Sequence, residues 1–378
     1  MVHSRSTIGA LWIAQLFVTS CVAWTVPRHS KQPVVVRSIY SSRLFNVPPP
    51  SEQDVEAFAK FASKQPPPSS FYELQQDCVR STRLARNDGH KLLEVEFPPL
   101  PAAVMDMDDV SAYDVVEANL KLAIDFAKGL LASDQDDNAP QKIAILVPDE
   151  PELDFVVEKA GSKNPYPGII LGSLRQSDPN DLAAIKPEGW LLNLFGKGSG
   201  GAVRPYDDVD VYVCLTASAQ ELPDIEELHE MVPDKTIICY NLKLDVLRGD
   251  LGAPAFPRKE FQDRFLSRIK PVYYLRTRQY SRSTPNPPFI VNFQGCLFRA
   301  YPGQFQTLLD TGTGNYRRLV GSDYRPPLGT FKEQLVDALK EEGVIADEGK
   351  TLNFLRTGYK VTTWWEEERE GASDAWRT

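Results

Sequence analysis

Gly196-Lys-Gly-Ser-Gly-Gly201 has the G-x-G-x-x-G spacing with which a glycine-rich loop brings backbone amides against a pyrophosphate. That chemistry needs a helix N-terminus directly after the loop, because the free amides of the first turn hold the phosphate. Here Pro205, Asp207 and Asp208 follow and the next strand is expected from Val209, so the run reads as a flexible loop. A Walker-type phosphate loop fails too, since Leu191 stands at its first glycine and Gly198 at the hydroxyl that would hold magnesium. Asp134, Asp136 and Asn138 open like a calcium loop, but Ala139 replaces the glycine and Ile145 the bidentate glutamate, leaving a solvated acidic loop. His90 and His229 are the only histidines after the N-terminal leader described below, and neither H-E-x-x-H nor G-x-S-x-G occurs. Zinc-hydrolase and serine-hydrolase chemistry therefore lack their parts. His90 is expected to be a helix-end cation beside exposed carbonyls. No catalytic residue, cofactor site or metal site is assigned.

A ligand pocket in a parallel sheet lies beyond the carboxyl ends of its strands. The residues expected there are Asp149 and Glu150, Thr216 and Ser218, Asn241, and Arg276 with Arg278. Converging acids, hydroxyls and guanidinium groups would suit an anionic or hydroxylated ligand; the same residue types are also ordinary caps and turn formers. Arg258 to Arg282 is the locally basic stretch, with Arg264, Arg268 and Lys270 among Phe261, Phe265, Tyr273, Tyr274 and Tyr280. It would face anionic lipid headgroups or an acidic protein, or else be an amphipathic helix and strand whose charges are solvated.

These residues must be positioned by the elements the sequence spells out. Asp54 to Ser63 is a short helix after Pro48-Pro-Pro50, and Ser70 with Glu73 makes a capping-box pattern for a helix to about Asn87. It ends at Asp88-Gly89, and Leu92 to Phe97 follows as a strand stopped by Pro98, Pro99 and Pro101. Asp114 to Leu131 carries Val116, Leu120, Ala123, Ile124, Ala127 and Leu131 at helical spacing. Strands are expected at Lys142 to Val147, Gly168 to Leu171, Trp190 to Phe195, Val209 to Leu215, Thr236 to Tyr240 and Val272 to Leu275. Helices Leu222 to Met231 and Lys259 to Ile269 lie between some of them. Continuously apolar strands alternating with helices predict an α/β, Rossmann-like layered fold, a mostly parallel sheet with helices on both faces. Ile290 to Phe293 and Leu297 to Ala300, separated by Gln294-Gly295, predict an antiparallel hairpin at the sheet edge. Thr330 with Glu333 predicts a second capping box, for a helix through Leu335, Val336 and Leu339 that stops at Gly343. A tail with Trp364-Trp365 and an acidic cluster closes the chain.

The Asp88 to Pro101 stretch resembles the hallmark of domain-of-unknown-function family nineteen ninety-five of cyanobacteria and plastids. The likeness continues in Asn119-Leu-Lys-Leu-Ala123, Trp190 to Phe195, Asn292 to Pro302, Tyr316-Arg-Arg-Leu319 and Arg325-Pro-Pro327, and runs from about Pro66 to Pro327. The family has no agreed catalytic residues to carry over. Its plant members include a photosystem II assembly factor of the Low PSII Accumulation three type, and some members are fused to an adenylate kinase. The resemblance thus implies a plastid protein whose partners are photosystem II subunits or assembly factors. It leaves open a small-ligand binder or enzyme acting on a nucleotide or phosphorylated metabolite.

Charge is unevenly placed along the 378 residues: five of the 42 basic and none of the 51 acidic residues lie at or before Ser51. The remainder holds 37 basic against 51 acidic groups, net −14, and so acidic a body argues against nucleic acid as a partner. Residues 1–23 read as a signal peptide: Arg5 precedes an apolar run far short of the ~20 residues a membrane-spanning helix needs, and Cys21-Val22-Ala23 offers a cleavage site. Residues 24–47, with Arg, Ser and Val but no acid, read as a transit peptide behind Trp24. The order 48–69 linker with short helix, 70–343 single α/β domain and 344–378 tail completes the organisation. Signal then transit peptide suits a plastid bounded by extra membranes, with the protein in the stroma or in peripheral contact with the thylakoid. Secretion, the plainer alternative, predicts paired cysteines, whereas Cys78, Cys214, Cys239 and Cys296 are scattered among apolar residues and are expected to be buried thiols.

Overall fold

The computed structural model describes residues 50–64, 66–101, 104, 107, 110–131, 139–177, 201–250, 256–284, 287–312, 315–345 and 362–378. The two leader segments, the calcium-like run at 134–138, the Trp190 to Phe195 strand and residues 196–200 of the glycine run lie outside them. Strands β1 (Leu92–Glu96), β2 (Ile143–Val147), β3 (Ile169–Ser173), β6 (Val211–Cys214), β7 (Thr236–Tyr240) and β8 (Lys270–Ser283) pair in parallel in the order β3-β2-β6-β7-β1-β8. β9 (Ile290–Ala300), β10 (Phe305–Asp310) and β11 (Tyr316–Ser322) continue the same sheet antiparallel from β8, giving nine strands. β4 (Arg175–Gln176) and β5 (Ala202–Val203) form a separate antiparallel pair.

One face of the sheet buries Leu93, Val95, Ile143, Ile145 and Val213 against α1 (Glu52–Phe61), α2 (Phe71–Asn87), α3 (Ala112–Leu131) and α4 (Glu150–Ala160), through Phe58, Cys78, Phe126 and Val156. The parallel half of the other face buries Leu92, Ile237 and Cys214 against α5 (Leu222–Met231), α6 (Leu244–Asp250) and α7 (Glu260–Arg264). The antiparallel half buries Phe293, Leu297 and Leu309 against α8 (Leu328–Glu341). This is the layered α/β arrangement expected, with a sheet buried on both faces because helices cross over both.

The helix to Asn87 ends as expected, with Gly89 at φ +86 in the left-handed region. Its capping box is only half formed: Ser70 accepts from the Glu73 amide, but the Glu73 carboxylate turns to Ser69. The Lys259 to Ile269 segment is not one helix, since α7 gives way at Phe265 to a 3-10 turn over Leu266–Arg268. Thr330 does not cap α8, which begins two residues earlier behind Pro327. The largest correction is at Gln294-Gly295. It is no turn: β9 runs straight through it, and the hairpin turns lie on either side. Glycine stands there because α8 packs close; a Cβ would meet Leu335 Cδ2 at 2.6 Å and the Leu308 carbonyl oxygen at 2.7 Å. Cys78, Cys214, Cys239 and Cys296 are buried free thiols, and burial pushes those of Cys214 and Cys296 up to about 12.

Candidate functional site

The structure divides the seven expected pocket residues into two groups. Asp149 caps α4 by accepting the Glu152 amide at 3.1 Å, and Glu150 accepts both the amide and hydroxyl of Ser177 at 2.9 Å. Just past the end of β6, Thr216 donates its hydroxyl to Glu152 of α4 at 2.9 Å. Ser218 gives its amide and its hydroxyl to Glu221. Beyond β7, Asn241 Oδ1 accepts the Phe97 amide and its Nδ2 donates to Asn119 Oδ1, both at 2.8 Å. Thr216, Asn241 and Lys243 have φ of 56, 53 and 54. That left-handed backbone costs a non-glycine residue ~1–3 kcal/mol, most for β-branched Thr216, and it is concentrated at the strand ends.

Arg276 and Arg278 lie elsewhere, three strands over from β6 in the sheet, roughly 14 Å at ordinary strand spacing. Alternation along β1 sends Leu93 and Val95 to one core, and Glu94 and Glu96 to the opposite face together with Leu92. Glu96 pairs in register with Tyr274, and Arg276 and Arg278 follow Tyr274 on that face of β8. The result is a charged seam between two apolar clusters. α6 lowers Asp245 and Arg248 onto it, and the segment before α8 adds Arg325.

Asp245 is the hub. Its Oδ1 accepts from Arg248 Nη1 at 3.0 Å, while Oδ2 accepts from the Tyr274 hydroxyl at 2.7 Å, from Arg278 Nη2 at 2.8 Å and from Arg325 Nη2. Arg276 Nη1 lies 3.5 Å from the same oxygen. Burial alone would raise this carboxyl, but Arg325, Arg248, Arg276 and Arg278 outweigh it and hold it well below the usual carboxylate range. Glu94 responds the other way: burial raises it against the pull of Arg248 and Arg325. Glu96 is pushed up to about 7 by burial, against Arg276, and accepts the Lys243 amide at 2.9 Å. Trp365 and Trp376 of the C-terminal segment, 5.2 Å apart, stack over Arg248 and Arg325 at 5.5–5.8 Å and seal the seam from above.

His90 differs from its expected role. It is half-buried, and burial together with Lys270 lowers its pKa, so it is a neutral imidazole beside Tyr301 at neutral pH. Among the described residues no group of three or more His, Cys, Asp or Glu is placed to hold a metal, and no helix is long and apolar enough to cross a membrane. Sequence reasoning missed Glu94, Glu96, Asp245, Arg248 and Arg325. The signal for two of them was present: acids at alternate positions of the apolar run Leu92 to Phe97 must share a face.

No curated protein and no solved structure matches this chain. One family model does, over residues 68–333, which takes in β1 through β11 and both site regions and stops inside α8. The chain accordingly belongs to the family described as Domain of unknown function (DUF1995).

Proposed function

We propose that the protein is a non-catalytic plastid factor, in the stroma or at the stromal face of the thylakoid, that assists photosystem II assembly by binding a photosystem II subunit or assembly factor. The observation that carries this reading is the β8–β9 arm. β1 pairs with β8 only as far as Tyr274, and β10 pairs with β9 only from Gly295 to Phe298. Residues Gln279 to Ser283 and Ile290 to Gln294 therefore run on as a two-stranded arm. At its end Phe289 and Ile290 are more than half exposed. Apolar side chains exposed at the end of a paired two-stranded arm suit capture of a partner. The leader composition and the plastid members of the family support the location. Affinity capture of tagged protein from isolated plastids tests both parts: photosystem II proteins should be recovered and should be lost with Phe289→Ser/Ile290→Ser. A fluorescent fusion found outside plastids, or normal photosystem II accumulation without the gene, overturns the proposal.

A second reading, a binder or enzyme using a strand-end crevice for a nucleotide or phosphorylated metabolite, is favoured by the left-handed backbone at Thr216, Asn241 and Lys243. Such backbone gathers at ligand sites because surrounding structure must hold it. Thermal-shift screening with nucleotides and sugar phosphates tests it, and a silent screen removes it.

A further inference from the structure

We infer that the solvent-facing side of Arg276 and Arg278, backed by buried Arg325 and fixed by Asp245, is a binding site for a phosphate monoester group. This deepens the ligand reading, on which it rests, by moving the site to the β1/β8 seam and naming its chemistry.

The donors in the seam outnumber the acceptors. A carboxylate oxygen has about two lone-pair sites, yet three donors bond Asp245 Oδ2, and Arg276 Nη1 is left 3.5 Å away at ion-pair distance. Arg276 Nη1, Arg278 Nε and Arg325 Nη1 are buried without a hydrogen-bond partner, while the unpaired acceptors of the seam, both oxygens of Glu94, lie against Arg248, 3.7 Å from its Nη2. Buried guanidinium N–H groups are nearly always paired, so orphans gathered at one place call for an acceptor. The charge count is compatible. Arg248, Arg276, Arg278 and Arg325 face Asp245, Glu94, Glu96 and Glu366, four against four with every carboxyl ionised, so protonation of Glu96 leaves one positive charge over.

Access separates the four arginines into two that hold and two that can receive. Arg248 and Arg325 have side chains no more than 2% exposed and lie under Trp365 and Trp376, so no ligand reaches them from above. Arg276 and Arg278 keep 20% and 18% of their side-chain surface in contact with water. They stand two residues apart on one face of β8, the spacing at which two planar forks can grip one tetrahedral oxyanion. Asp245 orients one fork directly. A phosphate monoester fits better than a carboxylate, because it offers three terminal oxygens to a cluster with several unfilled donors.

The test is isothermal titration calorimetry of the full chain with inorganic phosphate at low chloride, with phosphorus NMR line broadening as a second readout. Wild-type protein should bind saturably, and Arg276→Gln or Arg278→Gln should weaken binding by roughly tenfold or more. Arg278→Lys keeps the charge but not the fork and should fall between; it also serves if the glutamine variants do not fold. Flotation with phosphatidic-acid vesicles that excess phosphate competes away would assign the group to a lipid, and failure to float to a soluble ligand. Folded wild-type protein that binds no phosphate overturns the site. So do arginine variants that bind as wild type does, and a positive nucleotide screen would then leave the ligand reading standing without this site.

Discussion

The hydroxyl of Tyr274 donates to Oδ2 of Asp245 at 2.7 Å, so the middle of β8 and the first turn of α6 meet at one buried carboxylate that also receives Arg278 and Arg325. Asp245→Asn keeps the shape and removes the counter-ion from Arg248 and Arg325, both buried. Breaking a buried ion network in this way costs ~3–5 kcal/mol, which a urea titration at neutral pH should show as a lower midpoint with little change in slope. Asp245 is held below its ordinary value of 3.8, so its stabilisation is present above that pH and is lost as acid passes below it. The gap between wild type and variant should therefore close in strong acid. A variant as stable as wild type at pH 7 would mean that the arginines do not depend on this carboxylate.

Glu96 has the opposite sign. Its carboxyl is raised from 4.5 to about 7 by burial, with Arg276 and the Lys243 amide opposing, and with Glu94 and Asp245 adding repulsion. The folded protein binds that proton more tightly than the unfolded chain, so the associated stability is full below 4.5 and is lost as pH rises through about 7. A shift of that size corresponds to about 3 kcal/mol. Glu96→Gln keeps an acceptor for the Lys243 amide and should gain stability over wild type at pH 8 but not at pH 4.5. Parallel stability profiles for the two proteins between those values would refute the assignment.

Much of this fold is legible in the sequence wherever one local signal decides. The apolar β-branched runs of β2 and β7 and the helical spacing of α3 lead to the right elements within a few residues. Reading fails where a residue type has two uses. Gly295 resembles a turn residue and is a packing residue, and Lys259 to Ile269 has helical spacing but breaks at Phe265, where Phe261, Phe265, Leu266 and Ile269 are all buried in the cluster with Leu92 and Ile237. Of the pocket residues, Thr216 and Asn241 were placed at their strand ends because the carboxyl-end rule is local. Asp245 and Arg325 could not be paired, since 80 residues separate them and only the crossover through β8 to β11 brings them together.

Gly295→Ala tests that packing use directly. The new methyl would sit 2.6 Å from Leu335 Cδ2 and 2.7 Å from the Leu308 carbonyl oxygen, and the latter belongs to the sheet and cannot swing away. Overpacking of this kind costs ~1–3 kcal/mol. Leu335→Ala in the same chain clears the side-chain clash but not the carbonyl one. A double-mutant cycle by denaturant unfolding should show the pair costing less than the sum of the single changes, yet more than Leu335→Ala alone. Strict additivity would mean that the methyl and the leucine never meet.

The C-terminal segment lies beyond the family match, which stops at residue 333. It is nonetheless built into the seam: the Arg325 amide donates to the Arg377 carbonyl at 2.8 Å, the Leu328 amide to Glu366 at 2.9 Å, and the Trp376 amide to the Ser267 carbonyl at 3.2 Å. Trp365 and Trp376 supply the only aromatic rings within 6 Å of the Arg248 guanidinium among the described residues. Trp376→Ala should open a cavity over a buried charge and cost ~3–5 kcal/mol, whereas Trp376→Phe keeps a ring face toward both arginines and should cost less than half as much. Deleting residues 362–378 should go further, admitting water to Arg248 and lowering the thermal midpoint more than Trp376→Ala does. If the segment merely draped over the surface, both changes would leave the midpoint within about a degree of wild type, well under the ~2–4 °C that a loss of even 1 kcal/mol produces in a domain of this size.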